Sequence, residues 1–115
     1  MSKAATWVVV VKDGLARVFE EPLFAGALRE LPALRVSERS IGRLAAGIME
    51  GAGRGAFDRL VVLASAASLK RLRGGLTAPV AYRIELADAH VTDCEGPQAI
   101  RMRLRKLRAQ TRVDA

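Results

Sequence analysis

The sequence predicts one α/β domain, spanning residues 1–115, built on a single mixed β-sheet with helices covering it. The apolar run at residues 60–64 shows no alternation, which is typical of a strand buried on both faces. Residues 7–11, a tryptophan followed by four valines, have the same character. Helix-spaced apolar residues after Ser40 and again after Pro97 predict the covering helices. The expected element order is β-β-β-α-β-α-β-α, beginning with a hairpin.

Composition limits the class of protein further. Half of the 115 residues are hydrophobic, which excludes a disordered tail. There are 19 Lys and Arg against 12 Asp and Glu, giving a formal charge of +7. A balance this basic favours an anionic partner, either a nucleic acid or an acidic surface.

The sequence also bears on cellular location. Cys94 is the sole cysteine, so no intramolecular disulfide is expected. The apolar run at residues 4–11 is too short to span a bilayer. It ends in a turn, Lys12-Asp13-Gly14, where a signal peptide would need small residues for cleavage. We therefore expect a cytoplasmic protein without a membrane span.

The first half of the chain predicts three strands and a helix. Asp13-Gly14 predicts a type I′ hairpin turn between strands at residues 7–11 and 15–20. Residues 27–36 form a weaker third strand, at a sheet edge or interrupted, because Pro32 lacks the donor that a ladder needs. The polar residues 37–40 supply the N-cap of a helix, whose buried face is formed by Ile41, Leu44, Ala45, Ile48 and Met49.

The second half alternates strands and helices. The strand at residues 60–64 leads into a short helix at residues 67–73, which Gly74-Gly75 ends. Residues 80–86 alternate apolar and polar side chains, which predicts an outer strand parallel to residues 60–64. Pro97 opens a last helix that runs to about Gln110.

Two stretches carry a family resemblance. They are residues 6–20, TWVVVVKDGLARVFE, and residues 55–64, GAFDRLVVLA, with residues 69–72 behind the second. Together with the element order, they resemble the bacterial host attachment protein family. That family is similar to the middle domain of archaeal and eukaryotic translation release factors and of Pelota. The resemblance implies a release-factor-middle-domain-like fold over most of the chain.

The chain departs from these relatives at two places. Family members carry a longer charged insert before the first helix, of which only residues 35–43 remain here. Release-factor middle domains use a Gly-Gly-Gln loop to hydrolyse peptidyl-tRNA, whereas Gly74-Gly75 is followed by Leu76. Without an amide side chain to position water, we expect no esterase activity and no enzyme.

The last helix carries the main candidate site. Four arginines recur at i, i+4, i+7 and i+11, two further cations flank them, and no acidic residue lies between. Guanidinium groups in a row suit phosphate oxygens, which they bind bidentately. The alternative is a solvated helix face. The candidate nucleic-acid-binding residues are Arg101, Arg105, Arg108 and Arg112, flanked by Arg103 and Lys106.

A second basic cluster lies on the short helix, at Lys70, Arg71 and Arg73. The two clusters would form one patch if both helices covered the same side of the sheet. The aromatic residues Trp7, Phe19, Phe57 and Tyr82 all lie in strand patterns and are expected in the core. A platform for stacking single-stranded bases is therefore not expected, and binding would depend on backbone charge and shape.

Other candidate sites have weaker sequence support. The loop at residues 88–95 contains His90 and Cys94, but its spacing matches no zinc pattern, so no metal or other cofactor is predicted. Gly51-x-Gly53-x-Gly55 follows a helix and precedes a strand, the reverse of a phosphate loop. Ser65 and Ser68 lack a nucleophile motif, and we expect them to end a strand and cap a helix.

The prediction for function is a non-catalytic basic module that binds structured RNA or the ribosome. The alternative is a protein-interaction or homo-oligomerisation module linked to host attachment, pairing through its edge strands and residues 27–36.

Overall fold

The computed structural model describes residues 5–22, 28–88 and 96–113, which form one mixed sheet with helices on both faces. The sheet order is β3-β2-β1-β5-β6, and β4 also pairs with β2. The predicted α/β fold class is confirmed. The strands are β1 Thr6–Lys12, β2 Leu15–Glu21, β3 Arg29–Glu30, β4 Val36–Ser37, β5 Arg59–Leu63 and β6 Ile84–Asp88. The helices are α1 Ile41–Gly53, α2 Ala66–Gly74, α3 Ala78–Ala81 and α4 Pro97–Val113.

The N-terminal hairpin forms as the sequence predicts. Asp13 and Gly14 both have positive φ, 54° and 77°, the conformation that a type I′ turn requires. Strands β1 and β2 pair antiparallel from Lys12 and Leu15 at the turn to Thr6 and Glu21 at the far end. This hairpin forms the antiparallel part of the sheet.

Strands β1 and β5 lie inside the sheet and pair in parallel. The valines of β1 and the apolar residues of β5 are almost completely buried, as their lack of alternation predicts. Strand β6 continues the parallel part beyond β5 and lies at the edge. β1 occupies the middle of the strand order, with β5 beside it.

The predicted third strand is interrupted at its proline. Arg29–Glu30 and Val36–Ser37 each pair briefly with β2, and a 3-10 turn over Pro32–Leu34 separates them. Proline begins this turn because its missing N–H needs no partner there. Of the predicted range, residue 27 lies outside the described residues.

The strand predicted at residues 80–86 begins later than expected. Ala78–Ala81 form a short helix with Pro79 in its first turn, and β6 starts at Ile84. Tyr82 therefore lies in a turn, where it is 89% exposed, and its predicted place in the core is wrong. The alternation across residues 80–86 reflects two elements rather than one.

The sheet separates two apolar layers, because successive side chains of a strand point to opposite faces. The α1 and α2 layer contacts Trp7, Val9 and Val62, with Leu44 and Leu72 packed on them. The α4 layer contacts Val8, Val10, Phe19, Val61 and Leu63. Helices α1 and α2 thus cover one face and α4 covers the other.

Within the described ranges, we find no helix long and apolar enough to cross a bilayer.

Candidate nucleic-acid interface

Helix α4 is held on the sheet by its apolar side. Ile100 and Leu104 are buried against the sheet, and Leu107 packs partly buried beside them. The spacing of these three residues is the helix period, which confirms that the apolar residues after Pro97 form a helix covering the sheet. The cations between them therefore project sideways or away from the sheet.

Arg103 lies to one side of α4 and binds Asp88 at the end of β6. Its Nε donates to Asp88 Oδ2 at 2.9 Å, and the same oxygen accepts from Nη2. The Arg103 side chain is 25% exposed and that of Asp88 is 12% exposed. This guanidinium is occupied in fixing α4 to the sheet.

Arg108 is occupied in the same way. Its two terminal nitrogens donate to Glu21 at 2.7 and 3.1 Å, and a longer contact of 3.4 Å reaches Glu85. The hydrogen bonds to Glu21 raise the pKa of Arg108 above its ordinary value. Because Glu21 ends β2 and Glu85 lies in β6, this single side chain joins α4 to two strands.

Three other cations of α4 face solvent and form what we call the α4 surface: Arg101, Arg105 and Lys106. Within the described part of the chain, no carboxylate lies within 4.0 Å of their charged groups. Met102, between them, is 65% exposed. The side chain of Arg112 lies outside the described residues, so its predicted place in the stripe stays a prediction. The stripe that is uniform in sequence thus divides into paired and unpaired arginines.

The cations of α2 lie on the opposite side of the sheet. Lys70, Arg71 and Arg73 are exposed, while Leu72 between them is buried in the α1 and α2 layer. Since α4 covers the other face, the two predicted clusters do not form one patch. Among the described residues no carboxylate pairs with these three cations either.

Two cations that sequence analysis did not single out lie on the same side of the sheet as the α2 cluster. Arg39, in the 3-10 turn before α1, lines a cavity of about 350 Å³ together with Arg71. Arg43 follows Arg39 by four residues and is exposed on α1. The signal was present in the sequence as basic residues opposite the apolar stripe of α1. We call the α1–α2 surface the set Arg39, Arg43, Lys70, Arg71 and Arg73.

Glu38 is the carboxylate nearest to this surface in sequence and shares the cavity with Arg39 and Arg71. Its Oε2 accepts a hydrogen bond from the buried hydroxyl of Ser68 at 2.9 Å. That bond ties the 3-10 turn to α2. No guanidinium within the described ranges forms an ion pair with Glu38.

A larger groove of about 1080 Å³ runs between α1 and the segment that joins β3 to β4. Arg43 and Arg54 lie along it on α1, and Leu34 reaches across to Gly47, where a Cβ would lie 2.5 Å from Leu34 Cδ2. Trp7 also lines the groove, and its buried Nε1 has no hydrogen-bond partner. The groove carries mixed charge, because Glu50 of α1 lines it together with the two arginines.

The serines act as structural groups. The Ser65 hydroxyl accepts from the backbone N–H of Ser68 at 3.2 Å, which confirms its predicted role as the N-cap of α2. Ser68 lies inside α2, where its hydroxyl binds Glu38, rather than at the cap. His90 lies outside the described residues.

The loop at residues 88–95, for which no metal site is predicted, lies mostly outside the described residues. These contain Asp88 but not residues 89–95. Within the described ranges, no group of three His, Cys, Asp or Glu side chains converges on a common point. Gly51 and Gly53 end α1, and Gly55, with φ of 71°, turns the chain toward β5. Gly51 and Gly53 therefore belong to the last turn of the helix, and of the three glycines Gly55 alone lies in the predicted connection.

Comparisons with known proteins add little. No protein-family model matches the sequence, and no curated protein matches it. A solved structure described as "Archaeal protein" is similar over 96% of this chain, with a TM-score of 0.48 and 12% identity. This chain spans 39% of the length of that protein. A similarity this low carries no argument about function.

Proposed function

We propose that this domain is a non-catalytic module that binds structured RNA through phosphate contacts. The observation that supports it is the contrast along α4. Arg103 and Arg108 have carboxylate partners, whereas Arg101, Arg105 and Lys106 have none among the described residues. An exposed cation without a partner is available to an external anion, and the formal charge of +7 attracts one at long range.

A folded RNA suits the surface better than a single strand does. Trp7, Phe19 and Phe57 are buried, and Tyr82 is the exposed aromatic residue of the described part. One aromatic side chain does not form a platform on which successive bases stack. Guanidinium groups on a rigid helix instead bind phosphates whose positions a duplex holds fixed.

The resemblance to host attachment proteins and release-factor middle domains supports the same proposal. It suggests the ribosome as the natural source of the RNA, and a cytoplasmic location follows from that partner. The missing Gly-Gly-Gln loop supports a binding role without hydrolysis. The family assignment is part of this proposal.

The test is binding to an RNA duplex of about 16 base pairs, the length that a double-stranded RNA-binding domain spans. Fluorescence anisotropy compares the wild type with Arg101→Gln/Arg105→Gln/Lys106→Gln. We expect the variant to bind about tenfold or more weakly, because it loses three phosphate-binding charges.

The matched control is Arg29→Gln/Arg35→Gln/Arg59→Gln. It removes the same formal charge from exposed side chains that already lie beside carboxylates, at 2.9 Å from Glu20, 2.7 Å from Glu30 and 3.8 Å from Glu85. We expect this control to retain most of the affinity. Equal losses in both triple variants, or no salt-sensitive binding by the wild type, would refute the proposal.

The open side of β6 supports a second candidate, a homo-oligomer formed by edge pairing. Among the described strands β6 pairs with β5 alone, and the exposed Tyr82 lies two residues before it. Unpaired edge strands readily accept another strand. Light scattering distinguishes the two candidates, because edge pairing requires a stable dimer and Ala87→Pro should disrupt that dimer.

A further inference from the structure

We infer that the α1–α2 surface is a second phosphate-binding surface, and that the domain joins two RNA duplex segments, one on each side of its sheet. This inference rests on the proposed function of α4. Neither surface by itself implies that two duplex segments are joined. It follows from their placement on opposite faces of one sheet.

The α1–α2 surface has the properties of the α4 surface with more cations. Its five basic side chains are exposed, and among the described residues none pairs with a carboxylate. Arg39 and Arg71 line one cavity, and Arg43 continues from Arg39 along α1 to the groove that it shares with Arg54. The unpaired cations thus extend from α2 to the outer side of α1, where Glu38 shares the cavity and Glu50 shares the groove.

The side chains between these cations favour phosphate over lipid. Exposed positions on the outer side of the two helices include Gly42, Ala46, Gly53 and Gly74. Helices that bind a membrane surface insert bulky apolar residues beside their cations. Small residues instead allow a polynucleotide backbone to approach the helices closely.

The two surfaces lie too far apart for one straight duplex to bind both. Two helical layers and the sheet separate them, and the shortest extent of the Cα trace is 26 Å. A duplex lying along α4 contacts one side of the domain only. Simultaneous occupation of both surfaces therefore requires two duplex segments, from one folded RNA or from two molecules.

The test immobilises one RNA duplex, saturates it with protein, and measures capture of a second, fluorescent duplex. We expect the wild type to capture the second duplex. Arg39→Gln/Arg43→Gln/Arg71→Gln should still bind the immobilised duplex through α4 and lose capture by about tenfold or more. Arg39→Lys/Arg43→Lys/Arg71→Lys keeps the charge and should retain capture, which separates charge loss from misfolding.

The outcomes separate this inference from the proposed function. A wild type that binds one duplex without capturing a second overturns the bridging inference and leaves the proposed function standing. A wild type that binds no duplex overturns both. If the α1–α2 Gln variant still captures the second duplex, a dimer with two α4 surfaces explains the bridging, and the inference is wrong. The same variant is also tested on vesicles of anionic lipid. If it loses the vesicle binding of the wild type while its capture of the second duplex is unchanged, the inference is wrong and the surface binds membranes instead.

Discussion

Gly51 shows how a single missing Cβ sets the position of α1 on the sheet. A Cβ at this position would meet the Trp7 ring, with Cζ3 only 2.8 Å away. The ring is buried and contacts Phe57 at a tilt of 33°, with the centroids 4.6 Å apart, so it has little room to move. The close approach of helix to strand therefore requires glycine here.

We predict that Gly51→Ala destabilises the protein by about 1–3 kcal/mol, the usual cost of overpacking a core. Gly42 is the matched control, because it lies in the same helix and its Cβ would meet nothing within 4 Å. Gly42→Ala should raise stability by up to about 1 kcal/mol, since alanine favours helix. Urea denaturation measures both. Equal effects in the two variants would show that Trp7 does not limit the packing.

Glu30 holds the interrupted edge of the sheet together. It accepts bidentate hydrogen bonds from Arg17 at 2.8 and 3.1 Å, and Arg35 binds it from beyond the 3-10 turn. The bonds from Arg17, followed by those from Arg35, lower the pKa of Glu30 from 4.5 to about 2. A strand of two residues gains a fixed position from this network.

The lowered pKa predicts how stability depends on pH. The pKa of Glu30 is about 2 in the folded protein and 4.5 in the unfolded chain. At pH values between these two, the folded protein binds fewer protons than the unfolded chain. The contribution of Glu30 is therefore complete above about pH 5 and is lost as the pH falls toward 2. Screening of this partly exposed pair limits it to about 1 kcal/mol. Glu30→Gln should differ from the wild type in urea denaturation at neutral pH and converge with it in acid. A difference that is independent of pH would contradict this.

At the scale of elements, both apolar contacts and ion pairs hold α4 on the sheet. Its buried leucine and isoleucine cover the sheet, while Arg103 and Arg108 bind Asp88 and Glu21 at the helix flanks. These ion pairs bind side chains that are distant in sequence. They fix the rotation of α4 about its axis and so decide which cations face solvent.

We predict that Arg103 and Asp88 are energetically coupled. A double-mutant cycle of Arg103→Gln and Asp88→Asn should give a coupling energy of about 1–2 kcal/mol, as expected for a partly buried charge-assisted pair. Asp88 has a further interaction, so Asp88→Asn alone should cost more than Arg103→Gln. Thermal denaturation of the four proteins measures the cycle. Additive effects would show that the pair does not anchor α4.

At the scale of the whole molecule, unpaired cations lie on both outer surfaces because five carboxylates pair with arginines elsewhere, although Glu38 and Glu50 remain beside the α1–α2 surface. Glu20, Glu21, Glu30, Glu85 and Asp88 pair with arginines near the sheet edges and beneath α4. The unpaired cations remain on the outer sides of α2, α1 and α4. The unpaired cations of the α4 surface and of the α1–α2 surface thus lie on opposite faces of the sheet.

This division predicts the salt dependence of RNA binding. Each phosphate contact contributes about −0.7 to −0.9 to the slope of log affinity against log salt concentration. The α4 triple variant, Arg101→Gln/Arg105→Gln/Lys106→Gln, should therefore bind with a slope shallower by about 2–3. Arg29→Gln/Arg35→Gln/Arg59→Gln should leave the slope nearly unchanged. Anisotropy titrations between about 50 and 200 mM salt measure both slopes, and equal slopes would contradict the assignment.

Much of the architecture was predictable because local patterns determine it. The Asp13-Gly14 turn, the buried runs of β1 and β5, the interruption at Pro32 and the period of α1 each follow from backbone preference or burial within a few residues. The start of β6 was not predictable, because the alternation at residues 80–86 also fits a short helix followed by a strand. Tyr82 was misplaced for that reason.

The sequence by itself determined a basic α/β domain and the arginine content of its last helix. Only the tertiary structure decided which arginines are unpaired, because Asp88, Glu21 and Glu85 lie far from α4 in sequence and meet it through the sheet. It likewise decided that α2 and α4 lie on opposite faces. Whether a helix covers one face of a sheet or the other depends on how the whole chain packs, which no local pattern records.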